Sequence, residues 1–111
     1  MCTSLATPGN CTIYALRPGF PAPGAAAECS DERLKTDIVR VGVSPRSQLP
    51  LFSWRYRQGF GLDTTKRFRG TTAQALLEAG RADAVVLEGP VSGYFGVLYS
   101  RIPDVPFGPE V

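Results

Sequence analysis

The stretch CSDERLKTDI, residues 29–38, decides how the chain is read. Ser30 sits where a helix N-cap would, Asp31 and Glu32 suit the positive end of a helix dipole, and Leu34, Ile38 and Val41 recur at helical spacing. The pattern predicts a short helix from Asp31 to Val41, ended by Gly42. On that reading Ser30 is a cap and Lys35 is solvated. A second reading gives the same two residues chemistry. Five residues along a helix turn by about 140° and rise by about 7.5 Å, so Ser30 and Lys35 share no helical face. They meet only if Ser30 lies outside the helix and the lysine stem folds back toward the N-terminus, the direction in which helical side chains lean. A capping serine and a reachable lysine are therefore compatible.

Upstream the composition changes. Residues 1–29 hold four prolines and only two charges, Arg17 and Glu28, and read as a flexible Pro/Gly/Ala leader. The folding unit then starts at Ser30. At 111 residues the chain suits one domain with one small core, and the 82 residues from Ser30 onward (111 − 29) make a unit small enough to gain from association. A net charge of +2 with both signs interspersed creates no strong field for nucleic acid or an anionic membrane. No apolar run approaches the roughly 18 residues of a membrane span, and residues 1–29 lack the pattern of a secretory signal. Nothing in the sequence therefore directs export, and the Asn10-Cys11-Thr12 sequon carries little weight.

Cys2, Cys11 and Cys29 are odd in number and widely spaced, and read as free thiols. The histidine count of zero excludes a Ser-His-Asp triad, a Cys-His pair and a His-ligated zinc. A side-chain base here must be a carboxylate, a tyrosine or one of two lysines, Lys35 and Lys66. GFG at 59–61 and GYFG at 93–96 read as turn and strand glycines and not as phosphate loops. No cofactor and no metal is implied.

Downstream, LPLFSWRYRQGFG (49–61) alternates: Phe52, Trp54 and Tyr56 point one way, Ser53, Arg55 and Arg57 the other, as in a half-buried strand. GTTAQALLEAG (70–80) has a capping-box pattern, Thr71 with Gln74, and predicts a helix of about two turns stopped by Gly80. DAVVLEGPVSGYFGVLY (83–99) reads as strand, turn and strand, with Tyr94 to Tyr99 as the return arm. Residues 103–111, with Pro103, Pro106 and Pro109, form a Pro-rich tail that cannot be a long helix. The predicted fold is α+β: a small single domain with short helices and an antiparallel hairpin, preceded by the leader.

SDERLKTDI, FSWRYR, GTTAQALLEAGRADAVV and GYFGVLYSRI together resemble, in the same order over residues 30–102, the peptidase S74 domain. That domain is the endosialidase-type intramolecular chaperone of phage tail fibres and spikes, and its opening S-D-x-R-L-K-x-D-I motif falls on Ser30 to Ile38. The resemblance implies a domain that folds, assists assembly of trimeric fibre or spike chains, and cuts on the N-terminal side of its own serine. Carried over to this chain, Ser30 is the nucleophile, Lys35 the base, Cys29-Ser30 the bond cut, and Asp31 and Arg33 possible supporting residues. The implied partners are the chain itself, as a homotrimer, and an upstream fibre or spike segment, with no nucleic acid and no membrane. The implied setting is cytoplasmic or virion-associated.

A lysine serves as base only when neutral, so its pKa must fall through desolvation or neighbouring cations. Asp31 and Asp37 oppose that fall unless their carboxylates turn toward backbone donors or arginines. The sequence locates no oxyanion donor; amides of the first helical turn are candidates. Two other readings stand beside self-cleavage. One is a folding or trimerisation module that keeps the scaffold without cutting. The other is nucleic-acid binding through Arg55, Arg57, Lys66, Arg67 and Arg69 among Trp54, Tyr56, Phe60 and Phe68, residues more simply read as the wet and core faces of an alternating strand.

Overall fold

A computed structural model of the chain describes residues 20–21 and 27–110. Most of the leader, with Cys2, Cys11 and the sequon, lies outside the described residues. The predicted helix at 31–41 does not form. Glu32–Leu34 make one 3-10 turn, capped by Asp31, whose carboxylate accepts from the Arg33 amide, and the chain then runs as strand β2, Lys35–Val43. The reason lies in Thr36, Ile38, Val39, Val41 and Val43: β-branched side chains lose rotamers in a helix and fit a pleated sheet. Their density outweighs the helix-like spacing of Leu34, Ile38 and Val41. Ser30 is not the cap; Asp31 is.

The remaining strands are β1 (Glu28–Cys29), β3 (Pro50–Tyr56), β4 (Arg67–Gly70), β5 (Val85–Val86), β6 (Gly96–Val97) and β7 (Gly108–Pro109). They form two antiparallel sheets, a four-stranded one in the order β2-β3-β4-β7 and a three-stranded one in the order β1-β6-β5. The one α-helix described, α1 (Ala73–Glu78), completes a small α+β fold. The β3 strand alternates as predicted: Trp54 and Tyr56 are buried and Arg55 is exposed. The cap of α1 is Thr72, not Thr71, with its hydroxyl accepting from the Ala75 amide. Gln74 therefore takes no part in a capping box. At the far end the amides of Gly80 and Arg81 bond the carbonyls of Leu77 and Leu76 and stop the helix. The hairpin at 83–99 forms as β5 and β6, with Tyr99 opening a 3-10 turn rather than ending a strand.

β2 bulges twice against β3, between Thr36 and Val39 and between Arg40 and Gly42. At the first bulge Asp37 has φ +52°, and Arg67 bonds the carbonyls of Asp37 and Ser53 and the Ser53 hydroxyl. The Pro-rich segment after Ile102 packs on the sheets: Val105 is buried, Asp104 holds the amides of Arg46 and Ser47 in the β2–β3 turn, and β7 extends the four-stranded sheet.

Apolar burial, at about 25 cal/mol per Å2, holds two clusters together. One joins α1 to the β5–β6 hairpin through Leu76, Val85, Val97 and Ile102. The other surrounds Trp54 and Tyr56 and includes Cys29 and Leu34, with Phe68 and Phe107 against it. Trp54, Tyr56 and Phe68 of the nucleic-acid reading are thus core aromatics. Among the described residues no helix is long and apolar enough to cross a membrane.

Candidate active site

Ser30, Asp31 and Lys35 are all buried, Lys35 to 1% exposure, which is rare for charged and polar side chains. The 3-10 turn explains how. It stands between Ser30 and Lys35, so the serine precedes the turn and the lysine opens β2 with its side chain buried. Neither residue is on a helix.

The Lys35 amine donates to the Thr71 carbonyl at 2.9 Å and lies 3.3 Å from the centre of a Trp54 ring. Two effects compete there. A desolvated ammonium over an indole gains roughly 2 kcal/mol. Taking that charge out of water costs several kcal/mol. Burial prevails: it pushes the Lys35 pKa well below the ordinary lysine range, against the pull of Asp31, Cys29 and Glu32 toward the charged form. A neutral amine still donates to Thr71 and keeps a lone pair for a proton.

The Asp31 carboxylate is directed elsewhere. It accepts from the Arg33 guanidinium at 2.6 Å, the Arg33 and Phe95 amides at 2.9 Å and the Gln74 side chain at 2.8 Å. Burial alone would raise its pKa; these donors hold it below the ordinary carboxylate range. Gln74, freed from the capping box, also accepts from the Glu32 amide and fixes the 3-10 turn against α1. The Arg33 guanidinium rests over Tyr94 at 4.8 Å. Asp37, at the bulge, is exposed.

Two tyrosines distant in sequence enter the site. Tyr99 Oη lies 2.6 Å from Ser30 Oγ, donates to the Thr71 carbonyl at 3.0 Å and accepts from the Thr71 amide at 3.1 Å. A phenol has one proton, and Thr71 receives it, so Ser30 is the donor to Tyr99. Lys35 bonds Thr71 directly and Ser30 is linked to it only through Tyr99, so the serine and the lysine do not bond each other among the described contacts. The second is Tyr56, whose hydroxyl donates to the carbonyl of Cys29 at 2.5 Å. Burial pushes both phenols up, which keeps them protonated.

Two glycines make the approach possible. A Cβ on Gly70 would stand 2.6 Å from Tyr99 Oη and 2.8 Å from the Trp54 ring. A Cβ on Gly96 would meet Ala27 at 2.9 Å and the Glu28 carbonyl at 3.2 Å, where β1 lies on β6. Cys29 Sγ is a free, buried thiol.

Sequence reasoning placed Ser30, Lys35, Asp31, Arg33 and Cys29 here, and the structure brings all five to one region. It missed the parts of Thr71, Gln74, Tyr56 and Tyr99. Tyr56 left a signal, its inward position on an alternating strand. Tyr99 left less, a tyrosine in a return arm.

The family model described as chaperone of endosialidase, Peptidase_S74, matches residues 30–87, just over half of the chain and from Ser30 itself. Among curated proteins and among solved structures nothing matches. With its buried serine opening the matched segment, the chain belongs to the peptidase S74 family, the chaperones of endosialidase.

Proposed function

We propose that this is a self-cleaving intramolecular chaperone domain, which assists assembly of a trimeric fibre or spike protein and cuts its own Cys29-Ser30 bond with Ser30 and Lys35. The observation that carries the reading is the burial of Lys35 with its pKa well below the usual range, five positions after a buried serine. A buried lysine destabilises a fold unless something is gained, and a base near neutrality is what a serine nucleophile requires.

The chain supplies every group of the cut except the water that resolves the ester. Ser30 Oγ bonds to the Cys29 carbonyl carbon as its proton leaves Tyr99 for the Lys35 amine, and the carbonyl π pair moves onto oxygen. The intermediate collapses, the Cys29-Ser30 C–N bond breaks, and Lys35 returns the proton to the Ser30 nitrogen. An ester then links Cys29 to Ser30 Oγ. Water resolves it, leaving a Cys29 carboxylate and a free Ser30 amine. Asp31 and Arg33 neutralise each other and hold the turn.

Association is supported by β2, an edge strand on which Ile38, Val39, Val41 and Val43 are 40–53% exposed. An exposed apolar edge is a surface that a second copy covers. The second reading, a folding or trimerisation module that does not cut, is favoured by the Ser30 hydroxyl bonding Tyr99 rather than Lys35. Intact mass in denaturant after refolding separates the two. Loss of residues 1–29, abolished by Ser30→Ala and by Lys35→Ala, supports the protease; a chain that stays whole supports the module.

A further inference from the structure

We propose that Tyr56 is a further catalytic residue of the self-cleavage: its hydroxyl holds the carbonyl oxygen of Cys29 and stabilises the negative charge that forms there when Ser30 attacks. This rests on the self-cleavage reading.

Tyr56 stands 27 positions from Cys29 and is 5% exposed, yet its hydroxyl meets the oxygen of the one carbonyl that Ser30 would attack. Its ring is fixed edge-on to Trp54 with centroids 5.9 Å apart, and tilted on Phe68 at 4.9 Å. Backbone register fixes it further. Tyr56 is the cross-strand partner of Lys35, so base and donor sit side by side where β2 meets β3. The Arg57 amide bonds the Leu34 carbonyl at 2.8 Å and Arg57 Nε bonds the Lys35 carbonyl at 3.0 Å, closing that end of the ladder. The phenol's pKa is raised by burial first, then by Tyr99 and Cys29, so it remains a donor throughout the working range.

The hydrogen bond is worth more in the transition state than at rest. With a neutral carbonyl it is an ordinary bond. As the Ser30 Oγ–C bond forms and the π electrons pass to oxygen, it becomes charge-assisted at a buried site of low polarity. Tyr56 keeps its proton throughout, because Lys35 takes the one that Ser30 loses. When the C–N bond breaks the carbonyl re-forms and the hydrogen bond relaxes. No oxidant, metal or added acid is needed.

Tyr56→Phe deletes the hydroxyl and keeps the ring. With a melting temperature close to that of the parent, this variant is expected to cut Cys29-Ser30 about 10²–10³-fold more slowly. A folded Tyr56→Phe that cuts within about threefold of the parent rate overturns the role. A second measurement needs no cleavage. In the Ser30→Ala background with 13C at the Cys29 carbonyl, adding Tyr56→Phe should move that resonance upfield, and an unmoved resonance overturns the contact. If Tyr56→Phe does not fold, 3-fluorotyrosine at position 56 replaces it; its more acidic phenol should move the resonance downfield, and no movement is again fatal. The parent rate is a separate arm: a parent that never cuts removes the self-cleavage reading and the Tyr56 role with it, whereas a parent that cuts beside an equally fast Tyr56→Phe removes only the latter.

Discussion

The two ends of β2 invert the usual rule of burial. At its start a lysine is 1% exposed; a few residues on, Ile38, Val39, Val41 and Val43 are 40–53% exposed. A strand optimised for stability alone would exchange them. Neither feature helps an isolated monomer, because a buried amine loses its hydration and an exposed apolar edge invites other strands. On the proposed reading, the inner end serves chemistry and the outer end association.

The strongest way to break that comparison is Lys35→Met. Cleavage should be lost entirely, while stability at neutral pH should rise by about 1–3 kcal/mol, as when buried ionic groups give way to apolar ones. Lys35 has a lowered folded pKa, so between that value and its unfolded value near 10.4 the unfolded chain binds more protons and stability climbs with pH. The advantage of Lys35→Met should accordingly shrink as pH rises through that window, and denaturant midpoints across pH check it. A variant less stable than the parent at every pH would mean that the amine's contacts with Thr71 and Trp54 outweigh its burial.

Gly70→Ala comes next. The added methyl strikes Tyr99 Oη and the Trp54 ring, and overpacking of this kind costs about 1–3 kcal/mol. Thermal unfolding should show the loss, and cleavage should slow because Tyr99 no longer positions Ser30. The mildest change is at the outer end. Val39→Lys with Val41→Lys should leave monomer stability within about 0.5 kcal/mol of the parent, as for other surface changes, and weaken self-association in sedimentation. Unchanged association would assign the assembly surface elsewhere.

Much of the fold was legible because single segments carried it. The alternation from Phe52 to Tyr56, the threonine start and Gly80 stop of α1 and the turn between the arms of the 83–99 hairpin each needed no distant partner. β2 is hidden in the sequence because Leu34, Ile38 and Val41 satisfy a helical period, and only the β-branched content of the segment argues for a strand. The site was half legible. Ser30 and Lys35 lie in one short motif, whereas Tyr56 and Tyr99 reach Cys29 and Ser30 across 27 and 69 positions, a proximity that only packing of the two sheets creates.

The pairing of Glu28 with Val97 and of Cys29 with Gly96 has a consequence for the product of a cut. Scission at Cys29-Ser30 removes one covalent link and leaves that short ladder intact, so severance and departure are separate events. The fragment would stay moored to the domain until the ladder peels away, with a dwell time set by backbone pairing rather than by the serine. A nicked chain under native conditions would then keep the size of a whole one.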